Sequence, residues 1–149
     1  MSTKIKTIKG RGVVGRQVKG EAIVTKEPFM FPHGLDPRTG VVINKKHELF
    51  GRNLVGKILI FPFAVGSTST ATWLLEAIRL GKSPKALILE ELDPMLAIGA
   101  ILAEIFYFDK SFTVIDFPNL IGKEDSPLNI IKTGDILNIS GKTGLIKII

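Results

Sequence analysis

The chain has 149 residues, 45% of them hydrophobic, a net charge of +6 and no cysteine. This length suffices for one domain with its own hydrophobic core, which we expect to span residues 1–149. Without cysteine the chain forms no disulfide, and its two histidines cannot build a metal site on their own. No apolar run approaches the roughly 18 residues of a membrane span, and the N-terminus lacks the apolar stretch of a signal peptide. We therefore expect a cytoplasmic protein that enters no membrane and holds no metal ion by itself.

Positive charge is concentrated in the first part of the chain. Residues 1–57 contain twelve Lys and Arg against four Asp and Glu, whereas residues 58–149 contain eight against ten. This bias is found in chains that meet nucleic acid, an acidic partner or a phosphorylated substrate, and also in simple solvated surfaces. Most aromatic residues lie in apolar runs and not among the basic residues, which disfavours nucleic acid as the partner.

The predicted elements place β-rich ends around an α/β centre. In chain order, the predicted segments are strands at 12–14 and 20–25, a loop at 27–40, a strand at 41–43, a loop at 44–56, a strand at 57–63, a helix at 70–80, a strand at 85–89, a helix opened by Asp93 and Pro94, a strand at 111–115, and a hairpin of 134–139 with 144–149.

The central order of strand, helix, strand, helix, strand favours a small parallel sheet with two helices and right-handed crossovers. The N- and C-terminal strands are then expected to form a second, barrel-like layer. The fold class we predict is a β-rich α/β fold, a swivelling β/β/α domain of the kind that docks onto a larger catalytic body.

A cluster of glycine and hydroxyl residues, Gly66 to Thr70, joins the central strand to the first helix. Backbone N–H groups without partners and the positive end of the helix dipole meet there, which favours an anion or an ionised serine. The cluster equally fits an ordinary Ser/Thr helix cap. The pattern leaves both interpretations open.

The order and spacing of short motifs along nearly the whole chain resemble the small subunits of archaeal phosphomevalonate dehydratases, the short chains of the aconitase X group. The motifs that carry the resemblance are Gly20-Glu21-Ala22, Pro28-Phe29, Gly34 to Gly40, His47 with Gly51, Leu54 to Leu59, Gly66 to Ser69, Glu76 to Ala86, Asp93-Pro94, Ile98 to Ala100 and Thr133 to Asp135. The chain departs from the family pattern at Ala64-Val65, where the family often has Gly-Arg, at Phe31 to His33, and at Asn44.

The resemblance implies an enzyme subunit that is inactive alone. It implies a heterodimer with a large aconitase X-type catalytic subunit, which carries the iron–sulfur cluster, expected to be 4Fe-4S, whose exposed iron acts on the leaving hydroxyl. The reaction it implies is the dehydration of 5-phosphomevalonate, a phosphorylated hydroxy acid, to trans-anhydromevalonate 5-phosphate in the mevalonate pathway of isoprenoid synthesis. By the same resemblance, Ser67 matches the serine that accepts the proton.

Further residues are candidates for binding substrate or supporting Ser67. They are Gly66, Thr68, Ser69, Asp36, Arg38 and His47. From the residues alone, Asp36 also fits an Asx turn, Arg38 a turn cap or a bidentate contact to carboxylate or phosphate, and His47 a loop histidine bonded to backbone.

Other functions stay open. Within the family, the substrate could be another hydroxy acid such as cis-3-hydroxyproline. Outside it, the chain could be a non-catalytic binding or assembly module that uses its basic half. Phosphohistidine transfer, known from other swivelling domains, is disfavoured because the segment from Ser67 to Ala71 contains no histidine.

Overall fold

The computed structural model describes residues 5–107, 109–110 and 112–149. Its elements are β1 (Lys6–Lys9), β2 (Arg11–Val14), β3 (Gln17–Val24), β4 (Ile58–Phe61), α1 (Ser69–Arg79), β5 (Ala86–Leu89), α2 (Pro94–Phe106), β6 (Thr113–Asp116), a 3₁₀ turn at Pro118–Leu120, α3 (Pro127–Ile130), β7 (Ile136–Ser140) and β8 (Leu145–Ile148).

The eight strands form one mixed sheet in the order β1-β8-β7-β3-β4-β5-β6-β2. Strands β3, β4, β5 and β6 run parallel, while the pairs β3–β7, β7–β8, β1–β8 and β2–β6 are antiparallel. The edge strands β1 and β2 are separated in sequence by a single residue, Gly10. The sheet therefore has to curl until its two edges meet, and it forms a nearly closed barrel.

Strands β4, β5 and β6 are buried on both faces, as expected of strands that lie between two layers. In β4, Ile58 and Ile60 point into the barrel interior, whereas Leu59 and Phe61 belong to the core shared with the helices. Side chains alternate in this way because successive residues of a strand face opposite sides. Helices α1 and α2 cover the second face and pack closely on each other.

This architecture confirms the predicted β-rich α/β class, the parallel centre with two crossover helices, and the barrel-like layer made by the terminal strands. The helix predicted at 70–80 is α1, which begins one residue earlier. The predicted strand at 57–63 ends at Phe61 because Pro62 has no backbone N–H to continue the ladder. Of the predicted strand 111–115, Ser111 lies outside the described residues.

The strand predicted at 41–43 is wrong. The structure has only isolated bridges there, between Leu35 and Val42 and between Val41 and Asn53. The segment lies between two loops and forms one isolated bridge with each, so its backbone hydrogen bonds do not build a ladder. Within the described residues, no helix is long and apolar enough to cross a membrane.

Candidate functional site

Backbone hydrogen bonds from the loop 27–40 hold the segment that leads into the turn between β4 and α1. Phe29, from the loop 27–40, accepts a hydrogen bond from the Val65 N–H at 2.9 Å and donates its own N–H to the Phe63 carbonyl at 3.2 Å. Gly66 then takes a φ of +150°, and a Cβ there would lie 2.8 Å from Thr70 Oγ1. Only glycine fits this corner without strain, so Gly66 sets the direction in which the chain enters α1.

Ser67 stands exposed at the N-terminus of α1, where its hydroxyl meets Ser69. The two side-chain oxygens are 2.8 Å apart, and the Ser69 N–H lies 3.4 Å from Ser67 Oγ. The Ser67 carbonyl accepts the first helical hydrogen bond, from Thr70 N–H at 3.1 Å. Ser69 can therefore direct both a hydroxyl and a backbone N–H at Ser67 Oγ, an arrangement that favours an ionised serine over a protonated one.

Thr68 occupies the N-cap position but makes no side-chain capping hydrogen bond, and the first turn of α1 holds no acidic residue. The positive end of the helix is therefore neutralised by neither a capping side chain nor a carboxylate. The long 3.4 Å contact between Ser69 N–H and Ser67 Oγ is the nearest approach to a cap. The geometry of the cluster thus fits an anion-receiving helix terminus better than an ordinary capped one.

The loop 27–40 packs directly beside this turn. The ring of Pro32 comes within 3.7 Å of the point that a Gly66 Cβ would occupy. One helical turn past Ser69, the Trp73 indole N–H donates to the Leu35 carbonyl at 2.6 Å and holds the loop against α1. These contacts between the loop and α1 keep the Ser67 turn in a defined position.

A cleft of about 370 Å³ lies between this loop and α1. Its lining residues are His33, Asp36, Pro37, Arg38, Ile43 and Trp73. His33 has a left-handed backbone with φ of +60° and lies against the Trp73 ring, with 5.0 Å between ring centres. No sequence motif assigns His33 or Trp73 a catalytic or substrate-binding role. The spacing of Trp73, four residues after Ser69, was the one signal that it shares a helix face with that serine.

Asp36 forms the Asx turn that its sequence context suggested. Its carboxylate accepts the Arg38 backbone N–H at 2.9 Å, and this bond holds the pKa of the Asp36 carboxyl below its ordinary value. The Arg38 guanidinium is 82% exposed, with its Nε 3.5 Å from the same carboxylate. Arg38 is therefore tethered only weakly and is free to reach a ligand.

His47 is buried, and both of its ring nitrogens are bonded to backbone. The Leu49 N–H donates to Nδ1 at 3.0 Å, so the proton sits on Nε2, which lies 3.1 Å from the Pro28 carbonyl. The ring also packs edge-on against Phe29, whose backbone bonds to Phe63 and Val65 in the segment that leads to Ser67. With both nitrogens engaged, His47 can support the Ser67 turn only indirectly, through Phe29.

The predicted site residues therefore fall into three groups. Gly66, Ser67, Thr68 and Ser69 form one continuous turn, and Asp36 with Arg38 lines the cleft beside Trp73. His47 belongs to neither of these two groups: it lies behind the turn and does not line the cleft. No group of three or more metal-binding side chains occurs in the described part of the chain, and the sequence contains no cysteine, so its own residues do not fit an iron–sulfur cluster.

A nearly closed eight-stranded sheet with two crossover helices, and an exposed serine at the first helix N-terminus, define the chain as a swivelling β/β/α domain. The model of the aconitase X swivel domain matches residues 7–148. The chain therefore belongs to the aconitase X swivel-domain family, as its resemblance predicted.

Relatives and solved structures agree with this assignment. The chain is 37% identical to the phosphomevalonate dehydratase small subunit of Pyrococcus abyssi, over 95% of this chain and 98% of that protein. It is 33% identical to the subunit of the same name from Methanosarcina acetivorans, over 95% and 90% of the two chains. A crystal structure of Thermococcus kodakaraensis aconitase X in its holo-form superposes with a TM-score of 0.82 at 30% identity, covering 97% of this chain and 98% of that one.

Proposed function

We propose that this chain is the small subunit of a phosphomevalonate dehydratase, and that Ser67 accepts the proton removed from the substrate. The observation that carries the proposal is the exposed Ser67 hydroxyl at an uncapped helix N-terminus, in a chain whose relatives are named small subunits of that enzyme. The reaction is the loss of water from 5-phosphomevalonate to give trans-anhydromevalonate 5-phosphate.

Ser67 is suited to this task by its surroundings. A neutral hydroxyl is a poor base, so it needs an environment that stabilises the alkoxide. The α1 N-terminus provides part of the required positive potential, and Ser69 provides two hydrogen-bond donors within 3.4 Å. Gly66 and the contacts of Phe29 keep the hydroxyl aimed outward, where a substrate held by another body can approach it.

The remaining components belong to a partner in this proposal. Since this chain has no thiolate, the iron–sulfur cluster and most of the substrate contacts are assigned to the large subunit of a heterodimer. Where the family often has Gly-Arg this chain has Ala64-Val65, so the cation that further stabilises the Ser67 alkoxide is also assigned to that subunit.

Supporting roles are proposed for the residues around the turn. Thr68 and Ser69 shape the anion-receiving helix end, with Ser69 orienting Ser67. Arg38, positioned by the Asp36 turn, has an exposed guanidinium that is suited to a carboxylate or phosphate of the substrate. His47 contributes through the packing of Phe29.

The test is reconstitution with the large chain encoded in the same organism. The purified complex should bind iron and convert 5-phosphomevalonate, followed by proton NMR of the product, whereas the small chain alone should bind no iron and release no product. Stoichiometric iron in the lone chain would contradict the division of roles. Turnover of cis-3-hydroxyproline but not of 5-phosphomevalonate would contradict the substrate, and a stable complex without any turnover would favour an assembly module.

A further inference from the structure

Helix α2 carries an exposed apolar face that the fold of this chain does not cover. Leu96, Gly99, Ala100 and Ala103 form its buried side. On the opposite side Ile98, Ile101 and Ile105 are 42%, 45% and 65% exposed. We call the surface formed by Pro94, Ile98, Ile101 and Ile105 the outer face of α2.

A helix that is apolar on every side is normally buried on every side. Among the thirteen residues of α2, Glu104 is the single ionisable one. Its thirteen residues are too few to cross a membrane, and a helix that lies on a lipid surface carries a basic polar face, which α2 lacks. A protein surface is the environment that this composition requires.

The outer face of α2 begins beside the Ser67 turn. A groove of about 190 Å³ runs from Phe63 and Ala64, just before that turn, to Asp93 and Pro94 at the start of α2. Phe63 and Val65 add exposed apolar side chains next to the serine. Any body that presents a substrate to Ser67 must therefore approach the same side of the molecule.

The area of the outer face of α2 also indicates a partner that covers the Ser67 turn as well. Thirteen helical residues span about 20 Å, and a helix is about 10 Å wide, so the outer face of α2 is small beside the roughly 800 Å² per partner of a stable interface. A symmetric contact between two copies of α2 alone would fall short of this area. A docking surface that extends from the outer face of α2 across the groove to the Ser67 turn is larger, as a stable interface requires.

Glu104 specifies the chemistry of the partner. By helical spacing it lies at the border of the outer face, on the same edge as Ala97, and the residue is partly exposed. Its Oε2 is shielded within the free chain and has no hydrogen-bond partner among the described residues, so the side chain has to turn outward before a cation of the partner can reach that oxygen. A buried carboxylate oxygen without a donor is costly. A second copy of α2 could not supply a cation, because the helix contains no Lys or Arg.

We propose that the outer face of α2 is the surface on which the large subunit docks, and that the Glu104 side chain turns outward to meet a Lys or Arg of that subunit. The inference rests on the proposed function, since it takes its partner from there. It adds to the proposed function the surface of the small chain that is covered and the positive charge that the partner must present there.

The test uses the complex of both chains. Ile101→Glu places a charge in the centre of the outer face and should weaken association with the large chain at least about tenfold, measured by titration calorimetry. The matched control is Ile149→Glu, which alters an isoleucine of similar exposure, 50%, at the end of the barrel layer and should associate normally. Glu104→Gln keeps the shape of the side chain and should weaken association about tenfold or more by removing the charge.

Hydroxyl-radical footprinting of the wild-type complex makes the test independent of whether a variant folds. Ile98, Ile101 and Ile105 should be oxidised in the free small chain and protected in the complex. Unprotected side chains, normal association of a folded Ile101→Glu chain, or a variant that disrupts only self-association would each overturn the inference. Dehydratase activity separates the two claims: an active complex with α2 unprotected refutes the docking surface alone, and a protected but inactive complex refutes the proposed function alone.

Discussion

Replacing Ser67 with alanine separates catalysis from stability, because the structure predicts very different sizes for the two effects. The Ser67 side chain is exposed, and its contacts are one hydroxyl at 2.8 Å and one long N–H contact at 3.4 Å. A hydrogen bond contributes about 0.5–1.5 kcal/mol net, and an exposed one falls at the low end. The unfolding free energy should therefore drop by less than about 1 kcal/mol.

The effect on rate should be much larger. Loss of a general base slows a reaction about 100-fold to 10,000-fold, equivalent to about 2.7–5.5 kcal/mol of transition-state stabilisation. The Ser67→Ala complex should assemble, bind substrate and turn over at least about a hundredfold more slowly, as measured by steady-state kinetics. Ser69→Ala should lose less, because it removes a donor to the base and leaves the base itself.

Thr72→Ala is the matched control on the same helix. It also removes one hydroxyl, which bonds to the Ser69 carbonyl at 2.9 Å, and should leave turnover near that of the wild type. Near-normal turnover of Ser67→Ala together with an inactive Ser69→Ala would show that the wrong serine has been assigned. If neither change affects turnover, the hydroxyl cluster is a helix cap.

Three further changes test the surroundings of the serine. Gly66→Ala should lower turnover with the complex still assembled, since its Cβ would meet Thr70 Oγ1 at 2.8 Å and displace the turn; unchanged kinetics would refute this. Trp73→Phe should lower the unfolding free energy in urea by about 1–3 kcal/mol, because the buried Leu35 loses its hydrogen-bond donor, and an unchanged midpoint would contradict the anchoring role. His47→Ala should destabilise the chain by a similar amount in the same measurement, about 1–3 kcal/mol, while a pure substrate contact would change the Michaelis constant and leave stability intact.

The elements that could be predicted from the sequence are those that local rules determine. The apolar run of β4 predicted a strand, and Asp93 followed by Pro94 predicted the start of α2. The structure confirms that start, with the Asp93 carboxylate accepting the Met95 N–H at 2.6 Å and the Leu96 N–H at 3.3 Å. Secondary-structure propensity and helix capping depend on residues that are close in sequence, so both can be predicted without the tertiary structure.

The surroundings of Ser67 depend on contacts between distant segments. Trp73 donates a hydrogen bond to Leu35, 38 residues earlier, and Pro32 packs on Gly66. Neither contact could be predicted from a local sequence pattern. The strand predicted at 41–43 failed for the same reason, since its β-prone residues pair singly with loops on both sides. The curling of the sheet, which brings the edge strands β1 and β2 together, is likewise a property of the whole chain.

The central claim, that Ser67 accepts the substrate proton within a dehydratase complex, is tested most directly by hydrogen exchange with solvent. In deuterated water, the wild-type complex should incorporate deuterium into 5-phosphomevalonate at the carbon that lies between the carboxylate and the hydroxyl-bearing carbon. The incorporation is measured by mass spectrometry of recovered substrate. The Ser67→Ala complex, loaded with substrate to the same extent, should incorporate deuterium at least about a hundredfold more slowly. Incorporation by Ser67→Ala at the wild-type rate would contradict the account.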